Sequence, residues 1–295
     1  MSERVTWLLP VKNGMPYLPE TLASIEAQTY SNWEVLVWDN GSTDGTVEEL
    51  QKWIPSFLPG RVITGQPLGL GVCRAEMVEQ CKTEFCALID ADDVNVPERL
   101  AQQVTFLLAH PEVAVVGSQM YRLDKYGVEQ GLFHGLPLHH DDIVHFMLHG
   151  NGIAQPSVLF RRSAVLQVGN YRDVGSVNVE DYDLWLRIAV HYKLANIDAP
   201  LVYYRVHDKS TTQIAIAQNR LAQATDEWFC KNAPLLYGCS ENDARLLRDR
   251  RHPNTLIVLY QIARYLQRTQ NGTLTSRLTS RSFLRACKYF MFPRK

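Results

Sequence analysis

The stretch CALIDADDVNVPERL, residues 86–100, changes from apolar to acidic within five positions. Its first four residues are typical of a buried strand, and Asp90, Asp92 and Asp93 follow them at once. Carboxylates this close repel one another, so their pKa values rise unless a cation lies among them. One interpretation is a solvated turn in which Asp93 caps a helix that starts near Pro97. The other is a bound divalent metal ion.

The acidic stretch ends the fourth of four strand patterns that alternate with helical patterns. The predicted strands are Val5–Pro10, Trp33–Asp39, Arg61–Thr64 and Phe85–Asp90. The predicted helices are Leu18–Gln28, a segment after the cap-like Ser42 and Thr43, and Leu70–Cys81. This alternation predicts a mostly parallel α/β sheet with helices on both faces. Ligands bind such sheets beyond the carboxyl ends of the strands, so Asp90–Asp93 lie at the predicted site together with Pro10–Asn13 and Asp39–Asn40.

The pattern changes after Pro111. We predict a strand in VAVVGS, a loop over about residues 127–152, a strand leading into a helix in QPSVLFRRSAV, an amphipathic helix in VEDYDLWLRIAVHY and a strand in LANIDAPLVYYRVH. Helical periodicity dominates after Ser210. The sequence therefore predicts one domain over residues 1–212, with halves 1–110 and 111–212, and a helical C-terminal region over residues 213–295.

Composition excludes several classes of protein. The net charge of −1 argues against nucleic-acid binding. The sequence contains no stretch of 18 apolar residues, so no membrane-spanning helix is expected. The six cysteines form no Cys-x-x-Cys pair, which argues against structural zinc and favours free thiols in a reducing compartment. The N-terminal apolar run is too short for a signal peptide. We therefore expect a cytoplasmic protein.

Two segments in the first half could bind a nucleotide. Asp39 ends a strand before the turn NGSTDGT, where it either caps the turn or accepts hydrogen bonds from a base or ribose. The segment QPLGLGVCRAEMV places Gly69 and Gly71 ahead of a helix that carries Arg74. A glycine-rich turn before a helix can bind phosphate, and Arg74 would add charge, but this pattern alone is weak evidence.

Two segments in the second half could take part in catalysis. VNVEDYDLW places Glu180, Asp181 and Asp183 where a helix begins, either as favourable charges at the helix terminus or as a general base. His207 in YYRVHDKS follows a strand pattern, where a single histidine is more often structural than a metal ligand.

The order of these motifs is more specific than any one of them. In sequence, LLPVKNGMPYLPETLASIEAQTYSNWEVLVWDNGSTDGT, GLGVCRAE, LIDADD, QPSVLFRRS, GNYR, EDYDLWLRI and YYRVH resemble the family 2 glycosyltransferases of the GT-A fold. The resemblance covers about residues 4–210. It implies a Rossmann-like nucleotide-binding half over residues 1–110 and an acceptor-binding half over residues 111–212.

The resemblance also implies roles for the donor-side residues. Pro10, Val11 and Asp39 match positions that hold the nucleotide, and Arg74 matches a basic position near the diphosphate. The family more often has a second Asp where this chain has Asn40. It commonly has Asn at position 75, where this chain has Ala.

The metal and the catalytic base follow from the same resemblance. Asp90 and Asp92 match the Asp-x-Asp motif that contacts the nucleotide and Mg²⁺ or Mn²⁺, with Asp92 as the direct ligand and His207 completing the metal site. Asp181 matches the catalytic base, while Glu180 and Asp183 are placed on the acceptor side.

The implied activity is inverting transfer of a sugar from a nucleotide-diphosphate donor, a UDP-sugar above all, to a hydroxyl of a saccharide or lipid-linked saccharide, as in cell-surface polysaccharide synthesis. A sugar nucleotidyltransferase would need an Arg-containing glycine-rich loop after the first strand, where this chain has PVKNGMPYL. The remaining alternative is an inactive carbohydrate- or nucleotide-binding module of the same fold.

Two further features are outside these motifs. The histidines between Phe133 and Gly150 could form a second metal site or shape the acceptor pocket: His134, His139, His140, His145 and His149. The segment from Glu241 to Lys295 has twelve Lys/Arg and three Asp/Glu, a net charge of +9. In it, Arg277, Arg281, Arg285 and Lys288 form one stripe of a predicted amphipathic helix. That helix would either contact an anionic inner membrane surface or pack on the catalytic domain or another subunit.

Overall fold

The computed structural model describes residues 3–133, 135–175, 177, 179–248, 255–269, 278 and 284. The strands in this part of the chain are β1 (Val5–Val11), β2 (Trp33–Asp39), β3 (Gly60–Thr64), β4 (Phe85–Leu88), β5 (Val94–Asn95), β6 (Val113–Leu123), β7 (Glu129–Phe133), β8 (Leu159–Arg161) and β9 (Lys193–Arg205). The helices are α1 (Leu18–Glu26), α2 (Thr46–Trp53), α3 (Leu70–Gln80), α4 (Arg99–Ala109), α5 (His140–Phe146), α6 (Arg162–Gln167), α7 (Glu180–Ile188), α8 (Thr211–Ala217), α9 (Arg220–Tyr237), α10 (Glu241–Arg248) and α11 (Thr255–Thr269).

All nine strands belong to one sheet, in the order β3-β2-β1-β4-β8-β6-β9-β5, with β7 beside β6. β1 is parallel to β2 and β4, so Val11 lies opposite Asp39, and β2 is parallel to β3. The long pair β6 and β9 is also parallel, and antiparallel β8 joins it to β4. The predicted α/β fold with a mostly parallel sheet is confirmed, and the carboxyl ends of β1, β2 and β4 meet at one edge.

The central strands are buried on both faces because their side chains alternate between two apolar layers. In β1, Trp7 and Leu9 pack with α1, α2 and α4, whereas Leu8 packs on the opposite face with α3 and α7. Helices α9, α10 and α11 extend this second layer, with Phe229 and Ile262 fully buried in it. The C-terminal helices therefore share a core with the sheet.

The C-terminal region is described through α11, apart from residues 249–254, and at two positions beyond it. The chain after Ser210 is helical through α8–α11, as periodicity predicts. In the described ranges, none of the helices has both the length and the apolar character to cross a bilayer. The basic stripe from Arg277 to Lys288 and the histidine at position 134 lie outside the described residues, and the domain boundaries stay a prediction.

The predicted loop over residues 127–152 is wrong, because this region contains β7 and α5. The edge strand β7 is exposed for most of its length and forms by pairing with β6. Helix α5 buries Ile143 and Val144 against the second apolar layer. β7 forms a hairpin with the neighbouring strand β6, but its exposed residues carry no apolar pattern that would predict a strand. α5 depends on contacts distant in sequence, which local periodicity does not report.

Two helix caps suggested by the sequence, the first of them as an alternative to a metal site, are not present. Asp93 does not cap a helix, because Val94 and Asn95 pair with β9 and the next helix begins only at Arg99. The helix predicted after Ser42 and Thr43 begins at Thr46. The fourth strand ends at Leu88 rather than at position 90, so the acidic residues lie in the turn that follows it.

Gly71 allows α3 to approach the segment that precedes α7. A Cβ atom at this position would lie 2.1 Å from the carbonyl oxygen of Arg172 and 3.3 Å from Cβ of Glu180. The first contact is with backbone, which cannot rotate away, so α3 can lie this close only without a side chain at position 71.

We expect Gly71→Ala to lower the free energy of unfolding by about 1–3 kcal/mol, because α3 must move away from the backbone at position 172. Gly69→Ala is the matched control, since its Cβ would meet nothing closer than Asp173 Oδ1 at 3.8 Å. Urea denaturation of both variants measures the difference. Equal midpoints would contradict the close approach.

Candidate active site

A cleft of about 1220 Å³ opens at the carboxyl edge of the sheet. Its lining comes from the end of β1, the turn after β4, the start of α7, the loop after β9 and the α8–α9 region. The sequence-predicted residues that line it are Pro10, Val11, Arg74, Asp90, Asp92, Glu180, Asp181 and His207. Asp39 and Asp183 do not line it. The fold therefore brings together eight of the ten predicted site residues.

Asp39, which ends β2, and Asn40, which follows it, form hydrogen bonds with the protein itself. Asp39 is buried, and its carboxylate accepts a long hydrogen bond from the Ser42 backbone N–H at 3.3 Å. The Asn40 amide donates to the Leu68 carbonyl at 2.8 Å and accepts from the Leu68 N–H at 2.7 Å. A carboxylate could not donate the first of these bonds. Asn40 thus ties β2 to the loop that precedes α3.

Arg74 forms a buried ion network with Asp90 and Glu180. Its Nη2 atom donates to Asp90 Oδ1 at 2.9 Å, and its Nη1 atom pairs with Glu180 Oε1. Burial would lower the pKa of Arg74, but Glu180 and Asp90 outweigh burial and raise it, so the guanidinium stays charged. Arg74 Nε and Glu180 Oε2 are buried and have no hydrogen-bond partner within the described residues. The network therefore contains two buried polar atoms that the described residues leave unpaired.

The three carboxylates of the acidic turn have different partners. Asp92 Oδ2 lies 2.8 Å from His207 Nε2, beside the ring of Tyr17. Asp93 is fully buried and accepts from the Arg205 N–H at 2.8 Å. Burial, Asp92 and Asp90 together raise the pKa of Asp93 well above its ordinary value. Asp93 is thus turned into the protein, whereas Asp92 faces the cleft.

Two buried arginines near this turn were missed by the sequence analysis. Arg205 donates to the Asp92 carbonyl at 2.9 Å and to Glu20 Oε2 at 2.5 Å. Arg99 stacks on Trp7 and donates to the Leu88 carbonyl at 2.7 Å. Burial lowers the pKa of Arg99 to about 9, opposed by the nearby carboxylates. Arg205, within the apolar run LVYYRV, offered a signal, since an Arg is seldom fully buried without a partner. Arg99, which follows Glu98, offered none.

Asp181 lies at the start of α7 with its carboxylate towards the cleft. Its Oδ2 atom accepts from Asn151 Nδ2 at 2.8 Å, and its Oδ1 atom accepts from the Tyr182 N–H at 2.7 Å. Burial and the negative charge of Glu180 raise the pKa of Asp181 to about 7, with Arg74 acting in the opposite direction. A carboxyl group with this pKa can take up a proton near neutral pH. Asn151, which orients it, had no signal in the sequence.

Asp183 does not share this position. It is fully buried and pairs with Arg187 at 2.5 Å, one helical turn further along α7. Asn232 of α9 donates to it at 2.9 Å. The acceptor-side role predicted for Asp183 is therefore not matched by its position, which joins α7 to α9 instead.

The histidine cluster does not form a metal centre in the described part of the chain. His149 lines the cleft, His145 is buried in α5, and His140 accepts from the Leu194 N–H at 3.2 Å. Across the described ranges, no group of three or more His, Cys, Asp or Glu side chains is arranged to hold a metal ion unaided. These histidines therefore serve separate parts of the fold.

The Arg74 network is expected to stabilise the fold as well as the site. Arg74→Met should lower the free energy of unfolding by about 3–5 kcal/mol, because it leaves Glu180 buried without its counter-ion. The double variant Arg74→Met/Glu180→Gln should recover much of this loss, since the uncompensated charge is removed. Urea denaturation at pH 7 compares the two. Identical midpoints for the single and double variants would contradict the network.

Comparison with known proteins identifies the family of the chain. The family model described as Glycosyl transferase family 2 matches residues 6–168. The amylovoran biosynthesis glycosyltransferase AmsE of Erwinia amylovora is 31% identical over 191 residues, which are 64% of this chain and 70% of that protein. The O-antigen biosynthesis glycosyltransferase WbnJ of Escherichia coli is 29% identical over 238 residues, 78% of this chain and 90% of that one.

Solved structures show the same fold at low identity. TarS of S. aureus (residues 1–349, in complex with UDP-GlcNAc) superposes with a TM-score of 0.60 at 16% identity, covering 90% of this chain and 81% of that one. The mannosyltransferase PcManGT of Pyrobaculum calidifontis, in complex with GDP-Man and Mn²⁺, gives a TM-score of 0.62 at 16% identity, covering 100% and 89%. With the sheet, the cleft and these relatives together, the chain belongs to glycosyl transferase family 2 and is a glycosyltransferase of the GT-A fold.

Proposed function

We propose that this glycosyltransferase transfers a sugar, with inversion and with Mg²⁺ or Mn²⁺, from a UDP-sugar to a hydroxyl of a saccharide or lipid-linked saccharide. The observation that carries the proposal is that the Asp92–His207 pair and Asp181 line one cleft, with Arg74, Asp90 and Glu180 between them. The solved neighbours bound to UDP-GlcNAc and to GDP-Man with Mn²⁺ support the donor class and the metal. The named relatives in amylovoran and O-antigen biosynthesis support a role in polysaccharide synthesis.

The residues present fit a divalent metal ion that is shared with the substrate. Asp92 Oδ2 and His207 Nε2 are 2.8 Å apart, so a metal ion could replace the hydrogen bond between them with bonds to both. Mg²⁺ and Mn²⁺ accept carboxylate and imidazole ligands and often share them with substrate phosphates. When bound, the ion supplies positive charge that stabilises the departing nucleoside diphosphate.

The rest of the donor site follows from the contacts around Arg74. Pro10 and Val11 form the nucleotide end of the cleft, with Asp39 behind them supporting the Ser42 turn. Arg74 keeps its positive charge beside Asp90, and its free Nε–H can donate to a phosphate or sugar oxygen. Glu180, expected on the acceptor side, also lines the cleft, and we propose that its Oε2 atom, which has no partner within the described residues, accepts from a sugar hydroxyl there.

Asp181 is positioned to act as the general base. The acceptor hydroxyl has a pKa far above 7, so it needs a proton acceptor as it attacks the anomeric carbon. The Asn151 amide fixes one oxygen of Asp181 and leaves the carboxylate facing the cleft. A single displacement inverts the anomeric centre, so an α-linked donor gives a β-linked product. The NMR spectrum of the product distinguishes this outcome from retention.

We propose that α8, α9 and α10 add to the acceptor side of the cleft, which was expected from residues 111–212. Thr225 and Asp226 of α9 and Arg248 of α10 line it, together with Asn219 between α8 and α9. These polar side chains suit the hydroxyl groups of a saccharide. The described cysteines are free thiols, which supports the proposed cytoplasmic location.

We expect transfer from a UDP-sugar to require Mn²⁺ or Mg²⁺ and to stop when a chelator is added. Asp92→Asn should lower kcat/KM by about 10²-fold or more, because it weakens a direct metal ligand. Glu112→Gln is a control, since Glu112 is a half-exposed surface residue paired with Lys193 outside the cleft lining. Chelator-resistant transfer would contradict the metal, and the absence of turnover with any nucleotide sugar would favour an inactive binding module.

The pKa of Asp181 predicts the pH dependence of the reaction. A general base works in its ionised form, so kcat/KM should increase as the pH is raised through about 7. At pH values below about 7, Asp181 is protonated and kcat/KM should be lower. Asn151→Ala should move this midpoint to higher pH, because it removes a hydrogen bond that favours the carboxylate.

Asp181→Asn is the direct test of the assignment. It should abolish transfer, since the amide cannot accept the proton, and leave nucleotide binding intact, since Asp181 has no role in holding the nucleotide. Transfer assays from pH 5.5 to 9 and calorimetry with UDP measure the two properties separately. An active Asn variant, or a pH profile unchanged by Asn151→Ala, would place the base elsewhere.

A further inference from the structure

A second cavity, of about 230 Å³, lies at the opposite edge of the sheet from the cleft. It is formed where β1, β2 and β3 begin and where α3 ends. The side chains that line it include Thr6, Glu34, Arg61, Gln80 and Cys81. A space of this size admits several water molecules or a small polar reagent. None of its lining residues takes part in the proposed transfer reaction.

Two cysteines are in direct contact beside this cavity. Cys81 follows the last residue of α3, Cys86 is the second residue of β4, and their sulfur atoms are 3.2 Å apart. A disulfide bond needs a sulfur–sulfur distance of about 2.05 Å, so the two atoms would have to approach by only about 1 Å. Both thiols are buried in the protein, and Cys81 lies at the wall of the cavity.

The surroundings of Cys81 favour its thiolate. Its sulfur lies 3.3 Å from Thr83 Oγ1, which in turn lies 2.7 Å from Thr6 Oγ1. The hydrogen bond with Cys86 lowers the pKa of Cys81 to about 6, against the opposing effect of burial. Burial raises the pKa of Cys239 to about 11, although Cys239 is more exposed. Because the thiolate is the nucleophile, we expect Cys81 to be more reactive than Cys239 at neutral pH.

We propose that Cys81 and Cys86 form a thiol modification site at which a hydroperoxide produces an intrachain disulfide. The Cys81 thiolate attacks a peroxide oxygen, so that an S–O bond forms and the O–O bond breaks, giving a sulfenic acid and a hydroxide ion. The sulfur of Cys86 then attacks the sulfur of Cys81; the S–S bond forms, the S–O bond breaks, and the proton of Cys86 leaves with the oxygen as water. In total, two thiols are oxidised and one hydrogen peroxide molecule is reduced to two water molecules.

The location of this pair connects it with the elements of the active site. Cys81 directly follows α3, which carries Arg74, and Cys86 lies on β4, which leads to Asp90. The disulfide would close a loop of six residues between these elements at the edge of the sheet away from the cleft. The modification itself does not depend on the proposed transfer reaction, so it can be tested by its chemical product.

The test uses the full chain, reduced and then exposed to hydrogen peroxide at pH 7. Free thiols are alkylated, the protein is digested with trypsin without reduction, and the peptide masses are measured by mass spectrometry. Cleavage after Arg74, Lys82 and Arg99 separates the two cysteines, so the disulfide joins peptide 75–82 to peptide 83–99. We expect this linked pair to appear at the expense of the free peptides and to disappear when the sample is reduced.

Two variants test whether Cys81 is oxidised first and Cys86 then attacks it. Cys86→Ser should lose the linked pair and accumulate a sulfenic acid on Cys81, which dimedone traps. Cys239→Ser is the matched control and should form the linked pair to the same extent as the wild type. The proposal is overturned if peroxide oxidises Cys239 while residues 81 and 86 stay reduced, or if Cys81 proceeds to the sulfinic acid without linking to Cys86.

Discussion

The buried ion network of Arg74 is the interaction on which the site depends. Arg74 comes from α3, Asp90 from the turn after β4 and Glu180 from the first turn of α7, so one guanidinium joins three elements distant in sequence. A buried charge without its partner is costly, which makes the relative position of these elements strict. Asp181 follows Glu180 directly and therefore shares that position.

The crowded carboxylates after β4 are tolerated because each has a different neighbour. Arg74 pairs with Asp90, His207 with Asp92, and the Arg205 backbone with Asp93. Only the Asp92 pair combines exposure to the cleft with a second potential metal ligand. The protein thus compensates most of the negative charge itself, and Asp92 is the acidic position at which we propose that a cation binds together with the donor.

Sequence periodicity predicted the first half of the sheet well, because its strands are short apolar runs between helices with clear apolar faces. It failed for β7 and α5, which depend on pairing with β6 and on burial of Ile143 and Val144. It also could not show that Asp183 faces the core while Glu180 and Asp181 line the cleft, because all three are acidic residues in the first turn of one helix. Only the fold shows that Asp183 pairs with Arg187. Arg99, Arg205 and Asn151 act through partners far away in the chain, which no local pattern reveals.

The central claim is that Asp92 and His207 hold a divalent ion only together with a nucleoside diphosphate. Titration calorimetry of UDP with and without Mn²⁺ tests it most directly, with Mn²⁺ alone as a third titration. The account predicts weak binding of Mn²⁺ alone and UDP affinity that is about five- to 150-fold higher with Mn²⁺, a coupling that His207→Ala reduces. UDP affinity that is the same with and without Mn²⁺ would contradict it.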